Sequence, residues 1–144
     1  MKKIVFLIIA VVLGYGYVQE KHVSIPSMSS WSAGSDSTIQ KAYNNRQSDL
    51  QVQGVGVVTR VLPDDLEGSR HQKFILKLRT GQKLLVSHNI DLAPRVSGLT
   101  AGDTVEFYGE YEWNSKGGVI HWTHHDPKNY HIGGWLKHSG KTYQ

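Results

Sequence analysis

The segment Leu99-Thr100-Ala101-Gly102-Asp103-Thr104-Val105-Glu106-Phe107-Tyr108-Gly109 decides the fold of this chain. It joins a short turn containing Gly-Asp to a run in which apolar and polar side chains alternate as far as Trp113. A repeat of two residues is typical of a β-strand with one buried and one exposed face. We therefore predict a strand over residues 103–113. Its apolar face carries Val105, Phe107, Tyr111 and Trp113, and its polar face carries Glu106, Glu110 and Glu112.

Four further segments have the composition of strands. Residues 50–62 are rich in valine and contain Gly54 and Gly56, which predicts a long first strand bent at its glycines. A tight turn at Thr80-Gly81-Gln82 predicts a hairpin between the second and third strands. The remaining predicted strands are residues 72–79, 83–88 and 119–125.

The order and spacing of these five strands predict a mostly β fold. The longest connection, residues 89–102, lies between the third and fourth strands, which suits a small closed barrel. The turn before residues 103–113 is similar to the one before the fourth strand of many OB-folds, and a bent first strand suits such a barrel because it serves both halves. We expect a small five-stranded OB-like barrel, with an open antiparallel sandwich or meander as the alternative. The spacing of apolar residues also predicts a short preceding helix over residues 38–49.

The N-terminus has the pattern of a targeting segment. Lys2 and Lys3 precede an apolar stretch that runs through residues 4–13 and reaches residue 18 through glycines and tyrosines. This stretch is shorter than the roughly 20 residues that span a bilayer. We predict an exported protein, either periplasmic or tethered to the outer face of the inner membrane. The predicted parts are a signal peptide or N-terminal membrane anchor helix at residues 1–18, a flexible serine-rich linker at 19–37, and a single β-barrel domain with an irregular C-terminal tail at 38–144.

Composition excludes several classes of site. The chain has no cysteine, which rules out disulfides, thiolate catalysis, cysteine-type zinc sites and a lipidated cysteine. Its formal net charge is +4, and two of these charges, Lys2 and Lys3, belong to the targeting segment. The charge that remains is too small to indicate DNA or RNA as a partner.

Several segments of the folded part form a recognisable set. They are Gly68-Ser69-Arg70-His71-Gln72-Lys73-Phe74-Ile75, His88-Asn89-Ile90-Asp91-Leu92-Ala93-Pro94-Arg95, Gly109-Glu110-Tyr111-Glu112-Trp113-Asn114, Gly117-Gly118-Val119-Ile120-His121-Trp122-Thr123-His124-His125-Asp126-Pro127, Gly134-Trp135 and Gly140-Lys141-Thr142-Tyr143-Gln144. In these segments the chain resembles a family of small exported bacterial proteins known only as a domain of unknown function. The resemblance covers residues 39–144 and implies export and a single domain, but no activity.

Histidines are the first candidates for a functional site. Imidazoles and carboxylates are the usual ligands of Zn²⁺, Cu²⁺ or Ni²⁺ where thiolates are absent. We consider a divalent metal, Zn²⁺ or Cu²⁺, held by His121, His124, His125 and Asp126. A regular strand would place His124 on the opposite face from His121, so this set requires the strand to end or bulge near Thr123. The histidines at or just beyond predicted strand ends are His71, His88, His121, His124, His125 and His131.

Structural roles compete with the metal site. His71 and His88 can be hydrogen-bonded residues at the barrel rim, with Asp91 as one partner. His124 and His125 can cap a turn that Asp126-Pro127 initiates. The glutamates of the fourth strand are expected to form a solvated or salt-bridged face, with cation binding as the alternative.

An enzymatic interpretation uses a histidine as general base and a neighbouring carboxylate to orient it. His124 with Asp126, or His88 with Asp91, has this composition. A metal-dependent hydrolase of the nuclease or phosphodiesterase type would also need cations for phosphate, which Arg70, Arg79 and Arg95 can supply. The sequence contains no nucleophile elbow, P-loop or paired-carboxylate motif, so we do not predict an enzyme.

A binding module is the function that we favour. Exposed aromatic residues of OB barrels stack on bases or sugar rings, and aromatics are frequent in the last third of this chain. Trp135 follows two glycines and is either exposed for a ligand or folded back as a plug of one barrel end. The expected partner is an envelope ligand, such as an oligosaccharide, a nucleic acid or a protein. If the N-terminal segment is not cleaved, the inner membrane is a second partner. The candidate ligand-binding residues are His71, His88, Asp91, Arg95, His121, Trp122, His124, His125, Asp126 and Trp135.

Overall fold

The structure is a computed structural model that describes the backbone of residues 28–144 and the side chains of residues 34–144. The predicted signal or anchor helix lies outside the described residues. One helix precedes the strands of a mostly β fold. The elements are α1 (Met28–Asn44), β1 (Leu50–Val61), β2 (His71–Lys77), β3 (Lys83–Asn89), β4 (Thr104–Glu112), β5 (Val119–His121), β6 (Trp135–His138) and β7 (Lys141–Tyr143).

The first five strands form a closed barrel. They are hydrogen-bonded in the order β1-β2-β3-β5-β4, and β1 also pairs with β4. Only the β3–β5 pair is parallel within this ring. The predicted five-stranded barrel is therefore confirmed, and its strand order is consistent with an OB-like fold.

Strand β1 belongs to both halves of the barrel, as its glycines predicted. Its first part pairs with β4 from Leu50 to Val57, and its second part pairs with β2 from Val57 onward. The register with β2 shifts after Val58, where the strand bends. Gly54 also leaves room for the buried Phe107 ring, because a Cβ atom at this position would lie 2.6 Å from Cζ of that ring.

Helix α1 differs from the predicted helix at both ends. It begins at Met28, inside the segment predicted as a linker, and ends at Asn44 rather than near residue 49. Arg46 has a φ of 51°, a left-handed conformation that is common just after helix ends. Ile39 and Ala42 are both fully buried against the barrel. This packing stabilises a serine-rich helix that composition alone does not favour, since most helical stability in proteins comes from a packed apolar face.

The C-terminal tail contains structure that the sequence did not predict. Strand β6 pairs with β4 from Val105↔His138 to Tyr108↔Trp135, and β7 pairs with β6. These strands have only four and three residues, too few to show a period. One edge of β4 therefore carries β6 along its first part and β5 along its last part. Within residues 28–144, no helix combines the length and the apolar character needed to cross a membrane.

Candidate functional site

Two carboxylates and an imidazole meet on the outer face of β4 and β5. Inward-facing residues of β4, such as Phe107 and Tyr111, are fully buried, so Glu110 and Glu112 face outward. His121 lies directly opposite Glu110 in the β4–β5 register. Its Nε2 is 3.3 Å from Glu110 Oε2 and 3.4 Å from Glu112 Oε1. Within the described part of the chain, these residues form the one group of three metal-ligating side chains whose donor atoms lie within 4.8 Å of one another.

A second imidazole joins this group from the loop between β5 and β6. His131 Nε2 lies 3.0 Å from the same Glu110 Oε2. Its Nδ1 is 2.8 Å from the carbonyl oxygen of Ile132. Because a carbonyl oxygen only accepts, Nδ1 carries a proton, and Nε2 is the ring nitrogen that faces the carboxylate oxygen. We refer to Glu110, Glu112, His121 and His131 as the four-donor cluster.

The cluster is partly shielded from solvent, with Glu112 and His121 about one third exposed. The side chain of Glu110 is 14% exposed and that of His131 is 25% exposed. Nε2 of His121 is buried and makes no hydrogen bond within the described residues, although two carboxylates are near it. A buried nitrogen facing carboxylates without hydrogen-bond geometry is suited to a cation placed between them.

Trp122 holds the loop histidine in place. The chain leaves β5 at Trp122, which has a φ of 54°. This left-handed residue ends the strand, so β5 stops at His121 instead of continuing to residue 125. The indole stacks on the imidazole of His131, with ring centroids 3.9 Å apart and planes 7° apart. The orientation of the His131 ring is therefore set by two contacts, the stacking on Trp122 and the contact of Nδ1 with the Ile132 carbonyl.

Asp126 organises the loop that presents His131. Its carboxylate accepts hydrogen bonds from the backbone nitrogens of Lys128, Tyr130 and His131, at 3.0, 3.0 and 2.9 Å. These bonds, that from Lys128 foremost, hold the pKa of Asp126 below its ordinary value. Asp126 thus closes a turn, as the structural interpretation of this residue expected.

The structure separates the four residues predicted as metal ligands. His121 lies in the four-donor cluster. His124 is buried and its Nδ1 is 2.7 Å from the carbonyl oxygen of His125, whose side chain is exposed. Both oxygens of Asp126 already accept backbone hydrogen bonds. A metal role for His124, His125 and Asp126 stays a prediction, and their donor atoms do not join the compact group.

His88 is a buried structural residue. Its Nε2 donates to the carbonyl oxygen of Pro94 at 2.9 Å, so its Nδ1 accepts from the hydroxyl of Thr123 at 2.7 Å. The side chain is fully buried, and this burial lowers its pKa to about 4. The neutral ring ties β3 to the connector before β4 and to the segment after β5. Both ring nitrogens are occupied, so His88 is not arranged with Asp91 as an acid–base pair.

The other predicted residues near the start of β2 form two separate ion pairs and one histidine–carbonyl contact. The backbone nitrogen and Nε of Arg70 donate to Asp91 at 2.8 and 2.7 Å. These bonds from Arg70 hold the pKa of Asp91 below its usual range. Arg95 pairs with Asp64, and Nδ1 of His71 lies 2.8 Å from the carbonyl oxygen of residue 69. None of these groups belongs to the four-donor cluster.

Trp135 lies on the outer face of the sheet. It is opposite Tyr108, with ring centroids 6.0 Å apart, and Lys137 Nζ is 4.4 Å from the centre of its ring. The neighbouring Leu136 is fully buried and enters the core. Trp135 therefore does not plug the barrel; it forms an aromatic ladder with Tyr108 beside the four-donor cluster.

Sequence reasoning did not assemble Glu110, Glu112 and His131 into a site. The alternation of β4 placed both glutamates on one face, and cation binding was the lesser alternative for them. The missing information was the register that sets His121 opposite Glu110. His131 depends on the fold of a loop and has no local signal beyond being a histidine.

Comparison with known proteins gives a family and no activity. The family described as "Protein of unknown function (DUF3465)" matches residues 22–144, and the chain belongs to it. This confirms the resemblance to a family of unknown function. No curated protein matches the chain.

Proposed function

We propose that this protein is an exported OB-like binding module whose ligand is a divalent transition-metal ion held by Glu110, Glu112, His121 and His131. The strand order of the barrel supports the OB-like part of the proposal. The basic and apolar N-terminal pattern supports export. The metal part rests on the geometry and charge of the four-donor cluster.

The observation that carries the metal proposal is the spacing of the donor atoms. Zn²⁺ binds imidazole nitrogen and carboxylate oxygen at about 2.0–2.2 Å in a tetrahedron, which places neighbouring donor atoms about 3.3 Å apart. His121 Nε2 lies 3.3 and 3.4 Å from its two carboxylate oxygens. His131 Nε2 lies 3.0 Å from Glu110 Oε2 but outside the compact group of three, so its side chain must move toward the other donors to complete the shell. The donors of Glu110, Glu112 and His121 therefore have a spacing close to that of one coordination shell, and His131 is placed to supply the fourth donor.

The protonation pattern of His131 also favours an ion. Metal-ligating histidines usually donate their other ring N–H to a carbonyl or carboxylate. His131 does so through Nδ1, at 2.8 Å from the Ile132 carbonyl. Without an ion or a second proton, its Nε2 lone pair and the Glu110 carboxylate repel each other. A divalent cation removes this repulsion and turns both groups into ligands.

The donor set indicates which ions would bind. Two carboxylates balance the charge of a divalent ion, and two neutral imidazoles complete four donors. Imidazole favours Zn²⁺, Cu²⁺ and Ni²⁺, whereas Mg²⁺ and Ca²⁺ prefer oxygen ligands. We therefore expect Zn²⁺, Cu²⁺ or Ni²⁺ in preference to Mg²⁺ or Ca²⁺.

Metal analysis tests this proposal directly. Purified protein is dialysed against a chelator, reloaded with Zn²⁺ and analysed for bound metal, and calorimetry measures the affinity. One Zn²⁺ per chain and a higher melting temperature with Zn²⁺, but not with Mg²⁺, are expected because a ligand of the folded state stabilises it. A protein that retains no Zn²⁺, Cu²⁺ or Ni²⁺ and whose melting temperature ignores all three overturns the proposal.

A further inference from the structure

A buried amide nitrogen lies beside the four-donor cluster. Nε2 of Gln51 is buried and makes no hydrogen bond within the described residues. Gln51 stands on β1 directly opposite Glu110, which in turn stands opposite His121 on β5. One row across three strands therefore contains a carboxamide, a carboxylate and an imidazole. Two of its nitrogens, Nε2 of Gln51 and Nε2 of His121, are buried without hydrogen-bond partners.

A buried donor without an acceptor is unfavourable and uncommon in folded proteins. Residues directly opposite each other in an antiparallel pair have Cβ atoms about 4.5–5.5 Å apart. A glutamine side chain can therefore reach the carboxylate of its cross-strand neighbour. The acceptor nearest to Gln51 along the row is the carboxylate of Glu110.

We infer that Gln51 is a positioning residue of the ion site, where its carboxamide donates a hydrogen bond to the Glu110 carboxylate when the ion is bound. The inference rests on the proposed function. In the cluster, Oε2 of Glu110 faces both imidazoles and is the oxygen that would ligate the ion. Its second oxygen then remains to accept a hydrogen bond. Ligating carboxylates are ordinarily held by such outer contacts, which fix their orientation toward the metal.

The test compares Gln51→Met with Gln53→Met in the purified protein. Methionine keeps the length of the side chain and removes the amide. Gln53 is an exposed residue on the same strand, opposite Tyr108, and serves as the matched control. Zn²⁺ affinity is measured by competition with a chromophoric chelator, and the coordination of Co²⁺ is followed by its d–d absorption spectrum.

We expect Gln51→Met to weaken Zn²⁺ binding by about 10–100-fold, the usual effect of losing an outer-shell partner. Its Co²⁺ spectrum should change because Glu110 is no longer held in one orientation. Its metal-free melting temperature should stay the same or rise, since the substitution removes an unpartnered buried donor. Gln53→Met should leave the affinity and the spectrum unchanged.

A loss of affinity without a loss of metal-free stability distinguishes positioning from a general structural role. Wild-type Zn²⁺ affinity in Gln51→Met overturns the inference and leaves the proposed function intact. A parallel loss of affinity and metal-free stability, with an unchanged Co²⁺ spectrum, also overturns it. A wild-type protein that binds no transition metal overturns the proposed function and this inference together.

Discussion

Glu110 and His121 face each other across the β4–β5 pair, with Oε2 of the carboxylate 3.3 Å from Nε2 of the imidazole. This contact follows from strand register alone, since both residues are outward-facing members of one cross-strand pair. Donors on paired strands are held before a ligand arrives. Less side-chain entropy is then lost on binding, which favours affinity.

Replacing Glu110 should weaken metal binding more than any substitution outside the ligand set. Oε2 of Glu110 is shared by His121 and His131, so Glu110→Gln removes the anionic ligand that both imidazoles face. We expect Zn²⁺ affinity to fall by more than the roughly 10–100-fold that an outer-shell substitution costs. Calorimetry with Zn²⁺ measures this loss.

Glu106→Gln is the matched control for that substitution. Glu106 is also an outward-facing glutamate of β4, but it lies opposite Lys137 and outside the four-donor cluster. Its variant should bind Zn²⁺ with wild-type affinity. Equal losses in the two variants would show that the charge of the strand face matters rather than a defined site.

Trp122 should report ion binding at His131. The indole and imidazole are stacked with centroids 3.9 Å apart, so an ion on Nε2 of His131 changes the surroundings of the indole. We expect Cu²⁺ to quench tryptophan fluorescence at one equivalent. The response should disappear in Trp122→Phe and persist in Trp135→Phe.

His131→Gln tests the same relationship from the imidazole side. It should weaken Cu²⁺ binding, whereas His125→Gln, which changes an exposed histidine outside the cluster, should not. Fluorescence titration and calorimetry give the two affinities. A stronger effect of His125→Gln would favour the ligand set predicted from the sequence over the four-donor cluster.

The barrel could be predicted from sequence because its strands alternate over at least several residues. In β2, for example, Phe74 and Leu76 are fully buried, while the alternate residues Lys73 and Ile75 are only partly buried. Strands β6 and β7 could not be predicted, since they are short and are formed by pairing with β4. Packing of Ile39 and Ala42 likewise stabilises α1, whose serine-rich sequence does not predict a helix of this length.

The site was only partly predictable for a related reason. His121 was a candidate from its place near a strand end, and the outward face of Glu110 and Glu112 followed from alternation. Which strand lies beside β4, and in which register, depends on long-range pairing that no local pattern specifies. The conformation of Trp122, with a φ of 54°, ends β5 at His121, so the alternation that would place His125 on the face of His121 does not continue.

Gly54 should be required for packing at the barrel seam. A Cβ atom at this position would lie 2.6 Å from Cζ of Phe107, so Gly54→Ala forces two strands or the ring to shift. We expect a loss of about 1–3 kcal/mol in the free energy of unfolding, the usual cost of overpacking a core. Urea denaturation measures it.

Gly34→Ala provides the control for Gly54→Ala. Gly34 lies in α1, and a Cβ atom there meets no other atom within 4 Å. This substitution should stabilise the protein by up to about 1 kcal/mol, because alanine is the better helix former. Phe107→Leu should cost less stability in the Gly54→Ala background than in the wild type if the ring is the source of the clash.

The buried imidazole of His88 should make stability fall as the pH is lowered. Burial lowers its pKa from 6.5 to about 4 in the folded protein, so the unfolded chain binds more protons between these values. The stabilisation is complete above pH 6.5 and is lost as the pH falls toward 4. At 1.36 kcal/mol for each pKa unit, the loss from this residue amounts to about 3 kcal/mol by pH 4. Urea denaturation at pH 7 and pH 4.5 measures the change.

In His88→Gln, which keeps polar atoms at the position but cannot titrate, the same change of pH should reduce stability less than in the wild type, even though the variant is less stable at pH 7. If the free energy of unfolding falls equally in the two proteins between pH 7 and pH 4.5, then His88 is already protonated or accessible to water in the folded state.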